Sequence, residues 1–377
     1  MIIYLITTKN YKDNSWIENR ISCYKKEIAR KRMTLRVIFS KDELLKYKNE
    51  YEKNEACIIL ALINIKNPNE IYKEYEEFPM PKVIDFHHNH DIFSNEFSYI
   101  ATDVFDSMRQ VLDVLKKHNC KQPALFAMSS LTGRDPYRIS AYKKLNYGYK
   151  ELIFYDNGYN YLKAVKELLN CNTRIDALIC SNDLHAIRLI KVLKAIDEKW
   201  ANKVLIISFF DAKLASLITP SLSTTSSGFE QGAKEAIKIC EELWKNKNVS
   251  AIHKFIQTDL IERESSMIYN PEGINFDICK KPTDKKIKEI VEYAYISNKI
   301  EKLLLNCDDL DIKIIYYLMI GYKIKDIQRL TYCSLSTINY RIKKYINTLE
   351  CNNHKEAIDI LNDFIDINKL RDKNNLK

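Results

Sequence analysis

Glycine is scarce in this chain, with seven residues in 377, and proline nearly as scarce, with eight. An average chain carries about 7% Gly and 5% Pro, so collagen-like, flexible-linker and Pro-rich low-complexity classes fall away. Long apolar runs are also missing, and nothing approaches the roughly 18 residues of a spanning helix. The opening MIIYLITTKNYKD has one short apolar run with no basic stretch before it, which reads as a strand, not a secretory signal or a membrane anchor. Ten cysteines stand at 23, 57, 120, 171, 180, 240, 279, 307, 333 and 351, none in a CxxC or Cys/His zinc spacing. Reduced thiols of a cytoplasmic protein are therefore expected, with no metal and no other cofactor. A Walker loop, a nucleophile elbow and paired catalytic carboxylates are all absent, so an enzyme is not expected. No acidic pair follows the first strand, which sets aside a receiver domain.

What is present is ordinary globular material, 46% hydrophobic and 29% charged, in a chain long enough for two or three domains. The formal charge of +9 suits a nucleic-acid partner. Lys, Asn and Ile are abundant throughout, however, so local charge says more. Residues 335–349 carry Arg341, Lys343 and Lys344 and no acid.

The first 265 residues alternate short apolar runs with amphipathic stretches. Strands are expected at Ile2–Thr7, Thr34–Ser40, Cys57–Leu62, Lys82–Phe86, Ser98–Thr102, Ala124–Met128, Leu152–Tyr155, Ala177–Cys180 and Val204–Phe209. Helices are expected at Ser107–His118, Tyr161–Leu169 and Leu184–Ile196. Such alternation specifies a parallel sheet covered by helices, and so many strands suit two α/β lobes with a ligand cleft between them. Residues 269–286 hold Pro271, Gly273 and Pro282 with little periodicity and read as a linker. IKEIVEYAYISNKIEKLLL, from Ile287, is amphipathic over about five turns and reads as a connector helix. It can pack on a partner chain or on the C-terminal segment, or serve as a plain spacer. The expected division is 1–268 two-lobe α/β domain, 269–305 linker and connector, and 306–377 helical domain.

In that last segment apolar residues fall at helical spacing in three blocks: Leu310/Ile314/Ile315/Leu318, Ile324/Ile327/Leu330 and Ile338/Ile342/Ile346/Leu349. Gly321 separates the first two and, in so Gly-poor a chain, suggests a helix C-terminus needing positive φ. Ser334 stands where the third helix should begin, as an N-cap. Burying the isoleucines of that helix leaves Ser336, Asn339, Tyr340, Lys343 and Lys344 outward, a face able to lie in a major groove. The same pattern also fits a small helical domain with a solvated basic face.

LDIKIIYYLMIGYKIKDIQRLTYCSLSTINYRIKKYINTLECNNHKEAIDIL resembles the LuxR/GerE-type DNA-binding domain. Asp311 falls on its acidic position, Gly321 on its Gly, Lys325-Asp326-Ile327 on its KEI, Ser334-x-x-Thr337-Ile338 on its S-x-x-T-V, and Lys355-Glu356-Ala357 on its AEA. Asn339 replaces a usual base-contacting Lys and Glu350 a Gly, which bears on the operator sequence more than on the fold. Upstream, DALICSNDLHAIRLIKVLKAI and VLIISFFDAKLASLITPSLSTTSS resemble LacI-type regulators, as do SYIATDVFDSMRQVLDVLKKHNCKQPALFAM and FIQTDLIERESS. A sensor first and a helix-turn-helix last is the layout of xylose operon regulators. The resemblances imply an α/β, two-lobe periplasmic-binding-protein-like sensor followed by a small all-α helix-turn-helix domain. They imply a ligand-responsive transcriptional regulator, a homodimer on double-stranded DNA, with a small-molecule effector of which sugars are one class.

The LacI resemblance also implies ligand contacts at Arg138, in RDPYRISAY, and Asn182, of SND, with Asp103 after its strand as a third. Each has a structural alternative: a surface Arg, a capping Asn182–Asp183 pair, an N-capping Asp103. Phe210 occupies the place of a ligand-accepting Asp, leaving Asp211 as the second acid, so an ordinary hexose is disfavoured. An aromatic there can stack on a ring or fill a site that binds nothing. The DNA-contacting set implied is Ser334, Ser336, Thr337, Asn339, Tyr340, Lys343 and Lys344. His87, His88 and His90 form H-H-x-H without a carboxylate, weak grounds for a metal. Two rivals stay open: a DNA-binding protein whose sensor only dimerises, and a sensor that signals through protein contacts.

Overall fold

The computed structural model describes residues 1–9, 11, 15–62, 68–85, 97–130, 134–145, 147–156, 160–268, 270–276 and 282–375. The three histidines of the H-H-x-H motif lie outside the described residues. In chain order the elements are β1 (Ile2–Ile6), α1 (Ser15–Arg30), β2 (Thr34–Ile38), α2 (Lys41–Leu45), α3 (Lys48–Tyr51), β3 (Ala56–Leu60), α4 (Pro68–Lys73), β4 (Lys82–Ile84) and β5 (Ser98–Thr102). There follow α5 (Val104–Lys117), β6 (Pro123–Met128), α6 (Asp135–Leu145), β7 (Ile153–Tyr155), α7 (Tyr161–Leu169), β8 (Ala177–Cys180), α8 (Asp183–Ile196), β9 (Leu205–Phe210), β10 (Ser223–Ser226), α9 (Phe229–Lys245), β11 (His253–Ile256) and β12 (Leu260–Ile261). Seven helices close the described chain: α10 (Asp284–Ala294), α11 (Ile296–Leu305), α12 (Asp309–Met319), α13 (Ile324–Thr331), α14 (Leu335–Leu349), α15 (His354–Phe364) and α16 (Ile367–Lys373).

The chain divides into two compact units, Met1–Met108 with Leu131–Ala141 and Ser227–Asp259, and Arg109–Ser130 with Tyr142–Ser226 and Leu260–Lys377. The first unit contains a six-stranded sheet of order β11-β5-β4-β3-β1-β2, and the second a six-stranded sheet of order β12-β10-β9-β8-β6-β7. All pairings are parallel except β10 with β12. Central strands such as β1 and β3 are buried along their whole length, as continuous apolar runs in a two-faced sheet require. The expected strands all form. β10, β11 and β12 have no counterpart among them, because STTS, HKFI and LI are too short, or in STTS too polar, to show a period.

One expectation needs correction. Cys57 on β3 and Cys240 on α9 form a disulfide, with Cα atoms 5.9 Å apart and 183 residues between them in sequence, where reduced thiols were expected. Both residues are fully buried. Proximity created by strand-to-helix packing leaves no trace in cysteine spacing.

In the second unit the sheet and the C-terminal helices share one apolar core, running from Leu178 and Ile187 through Ile300 and Leu303 to Ile314, Ile338 and Leu361. The segment expected as a linker takes part: Ile274 bridges Ile175, and Phe276 is fully buried beside Trp200. The expected single connector helix breaks at Tyr295 into α10 and α11. α10 packs on α8, and α11 packs between α8 and α14. Among the described residues no helix is long and apolar enough to cross a membrane.

Candidate functional site

In the first unit Asp103 begins α5. Its carboxylate accepts from the Asp106 amide at 2.9 Å, and its carbonyl accepts from the Ser107 hydroxyl at 2.7 Å. This is the capping role that Asp fills at a helix start. Arg138, on α6, is 4% exposed and donates to Asp135 at 2.8 Å, so it is a buried guanidinium and not a surface one. Arg20, Asp85 and Arg134 are buried in the same unit, with Arg20 Nη2 2.5 Å from Asp85. Burial, then the neighbouring Arg138 and Arg20 charges, holds the Arg134 guanidinium well below its usual pKa, and burial raises the Asp85 carboxyl. Guanidiniums crowded this way suit a ligand with carboxylate or hydroxyl oxygens.

In the second unit Asn182 and Phe210 stand at the C-terminal ends of neighbouring strands, β8 and β9, which pair in register through Ile179 and Ile207. Asn182 caps α8 by accepting from the His185 amide at 3.0 Å, while its amide nitrogen lies 3.2 Å from Ser181 Oγ. Phe210 has φ +103 and Asp211 φ +51, two successive residues in a region that side chains avoid. Three contacts hold the turn there: Asp183 accepts from the Ala212 amide at 2.5 Å, Thr224 Oγ1 accepts from the Asp211 amide at 3.2 Å, and Arg263 pairs with Asp211 at 2.6 Å. Asp183 also accepts from Ser208 and Thr224 hydroxyls, and burial pushes its carboxyl up to about 7.

Ser181, His185 and Asp156 form a trio that resembles a hydrolase triad by composition. Ser181 Oγ lies 2.6 Å from His185 Nδ1, but His185 Nε2 is 3.6 Å from Asp156. Burial, then the Arg188 charge, lowers the imidazole to about 3, too weak a base to take a serine proton at neutral pH. The trio is structural.

The C-terminal helices α12, α13 and α14 pack mutually through Ile314, Ile315, Ile327, Ile338 and Ile342. Gly321 has φ +90 at the end of α12, and Ser334 caps α14 by accepting from the Thr337 amide at 3.1 Å. Ser336 and Thr337 hydroxyls lie 2.7 and 2.8 Å from Ser334 Oγ, so the three form one cap cluster. Asn339, Tyr340 and Lys343 are exposed on α14, Tyr340 by 74%, and engage no hydrogen bond or ion pair among the described residues. Lys344 does not join them. Its ammonium donates to the Asn306 carbonyl at 2.6 Å and to Asp311 at 3.0 Å. Arg341 is likewise turned inward, 2.7 Å from Asp308 and 2.9 Å from Asp311. Asp311 is 1% exposed and also accepts from Tyr345 Oη at 2.8 Å, so the acid fixes α14 against α12. Of three cations on this helix, only Lys343 faces outward without a partner among the described residues.

Residues 112–266 match the periplasmic binding protein-like domain. That family model overlies the second sheet together with α9 and β11. Many solved structures share the fold. The transcriptional regulator CelR, solved with cellobiose, is 16% identical with a TM-score of 0.57, over 70% of this chain and 84% of that one. The ribose operon repressor of Lactobacillus acidophilus is 19% identical at 0.55, over 70% and 98%. The dimeric Lac repressor is 13% identical at 0.55, over 72% and 100%. At such identities the likeness establishes a periplasmic-binding-protein-like fold with LacI-family regulators as structural neighbours. No curated relative matches the chain in sequence.

Sequence reasoning missed Glu301 on α11, which is 4% exposed. Its carboxylate accepts from the Lys213 amide at 2.9 Å and the Leu214 amide at 2.8 Å. Its partners are backbone groups some ninety residues away, which no motif records. Only a Glu among the apolar positions of a connector helix could have drawn attention to it.

Proposed function

We propose that the chain is a ligand-responsive DNA-binding transcriptional regulator. A LacI-like sensor takes a small molecule, and a LuxR/GerE-type helix-turn-helix reads operator DNA as a homodimer. The observation that carries this reading is the setting of α14: a capped helix with an unengaged Asn339–Tyr340–Lys343 face, built onto the core of a periplasmic-binding-protein-like domain. An Asn amide matches the donor and acceptor of adenine in a major groove, a Tyr ring suits a thymine methyl, and a Lys meets phosphate. Asp103, Arg138, Asn182 and Phe210 are the proposed effector contacts. The sugar-bound neighbour supports a polar effector of sugar-like size, and the aromatic at 210 selects for a ring face.

A second reading has an observation of its own. Ile320, Tyr322, Leu330, Tyr332 and Leu335 are all exposed around α13, Tyr332 by 97%, a surface that also suits a protein partner. Salt-titrated binding of the full-length chain to random-sequence duplex separates the two, comparing wild type with Lys343→Ala. Loss of one phosphate contact lowers the salt slope by about 0.9. Absence of salt-dependent binding in a folded wild-type chain transfers the assignment to protein docking.

A further inference from the structure

The turn that carries Phe210 and Asp211 runs directly into a single 3-10 turn, Lys213–Ser216, and that turn is gripped by the connector. Glu301 of α11 accepts from two successive amides there, Lys213 and Leu214, with both carboxylate oxygens. Lys213 returns the contact, its ammonium donating to the Leu304 carbonyl at 2.9 Å near the end of the same helix. The clamp is thus reciprocal, charged, and closed off from water on the Glu301 side. Hydrogen bonds to an ionised group in such a setting are about twice as strong as neutral ones, and they fix direction as well as distance.

α11 is tied at its other side to the proposed recognition helix. Lys299 pairs with Glu350, the C-cap of α14, at 2.7 Å. Lys344 of α14 donates to the Asn306 carbonyl just past the end of α11 at 2.6 Å. A further tie enters from α8, the helix that Asn182 caps: Arg188 lies 4.0 Å from the ring centre of Tyr295, at the break between α10 and α11, and donates to Asn298 at 2.5 Å. Both candidate effector residues of the second unit therefore adjoin elements bonded to α11, and α11 is bonded to the C-terminal part of α14 at Lys344 and Glu350.

We propose that α11 transmits the state of the Phe210–Ser216 turn to α14, with Glu301 as the positioning residue that couples them. The inference rests on the proposed function for its biological meaning, but the mechanical coupling is a property of the second unit alone. The turn has two positive-φ residues at its start, so a ligand that contacts Phe210 and relaxes them displaces Lys213 and Leu214. Those amides move the Glu301 carboxylate, and α11 carries the displacement to the Lys299–Glu350 and Asn306–Lys344 contacts. Coupling of this kind needs a two-state element that both sites bias, and the strained turn supplies it.

The test is hydrogen–deuterium exchange on the full-length chain, comparing wild type, Phe210→Gly, Glu301→Gln and the double variant. Glycine accepts the positive φ of position 210 without strain and so shifts the balance between the two states of the turn without any ligand. Phe210→Gly is expected to change amide exchange across residues 335–349 by at least about fivefold, the lower end of typical allosteric couplings. In the Glu301→Gln background the same change should reach the turn but leave residues 335–349 unmoved. An equal effect with and without Glu301, or no effect on α14 in either background, overturns the proposal. If Glu301→Gln loses its cooperative melt, Lys213→Met carries the test from the other half of the clamp. Additive loss of protection spread over the whole unit would mark Glu301 as merely structural and also overturn it. Because the readout needs no DNA, a failure of duplex binding is distinguishable from a failure of coupling.

Discussion

Replacing Asp311 by Asn removes one negative charge from a site that three α14 side chains share. Arg341 at 2.9 Å, Lys344 at 3.0 Å and Tyr345 at 2.8 Å all converge on this 1%-exposed carboxylate, which also completes a capping box with Asp308. Those donors hold its pKa below the usual range against the opposing effect of burial. Removing one partner of a buried ion pair costs about 3–5 kcal/mol. Here the Arg341 and Lys344 side chains keep 20% and 34% exposure and Arg341 retains Asp308, so about 2–3 kcal/mol is expected, in denaturant melts at neutral pH. The sign with pH follows from the lowered pKa. Wild-type stability from this group is present above about pH 4 and is lost as pH falls through the folded value, whereas Asp311→Asn lacks that acid limb. The same substitution takes Lys344's only acidic partner among the described residues, while Arg341 keeps Asp308. Duplex binding should therefore become more salt-dependent, by up to about 0.9 units of slope for the one loosened cation, while stability falls. A variant within about 0.5 kcal/mol of wild type would refute the hub, because surface substitutions already fall in that range. A destabilised variant with an unchanged salt slope would instead refute the view that Asp311 withholds Lys344 from DNA.

Asp183→Asn should change the pH profile of the second unit. A carboxyl raised to about 7 keeps its proton in the folded state while the unfolded chain has lost it, so its contribution is full below about pH 4 and declines as pH rises through 7. His185, lowered to about 3, works in the opposite sense, losing stability as pH falls below 6.5. Between about pH 4 and 6.5 the two offset each other in wild type. The Asn variant should reveal stability rising with pH, and an unaltered profile in denaturant melts would contradict the assignment. Asn339→Ala should relax base preference at one position by about 1–3 kcal/mol in a selection from random duplexes, with stability unchanged because the side chain is exposed and unengaged. Preference unchanged at every position would take Asn339 out of the reading face.

Periodicity reached the elements whose burial is one-sided or complete, and it failed where contacts are long-range. The isoleucine spacing placed α12, α13 and α14, Gly321 marked the end of the first and Ser334 the start of the third, since each signal is local to its own helix. The same outward-face reasoning put Lys344 beside Lys343, and there it misled. On a helical wheel a lysine at the boundary of the apolar stripe reads as exposed, but a long flexible stem can fold its ammonium back to a buried acid on another helix. Asp311 was visible as an acidic position, yet its three partners follow only from the packing of α14 on α12. The capping reading of Asp103 and Asn182 was available from residue type and is what the backbone displays. Capping uses only the carbonyl oxygen of Asn182, while its amide nitrogen lies 3.2 Å from both Ser181 Oγ and His185 Nδ1, so a ligand at that amide would replace these contacts and not the cap.

The connector shows the sharper consequence of long-range packing. An amphipathic stretch between two domains predicts a face but not an occupant, and residues 284–305 turn that face onto α8 and α14 of the same unit. Once Phe276, Ile287, Val291, Ile300 and Leu303 enter a core shared with β8 and α8, the helical domain has no tether to swing on. Regulation by free reorientation of a DNA-binding domain would require that core to open, at about 1.5–3 kcal/mol for each large side chain exposed. Small displacements passed through α11, within an intact core, need no such opening. On the proposed function, a regulator built this way changes what α14 presents by moving bonded groups a short distance. The Glu301 clamp is the grip of α11 on the Phe210 turn, beside the Asp183 and Arg263 contacts that hold the same turn.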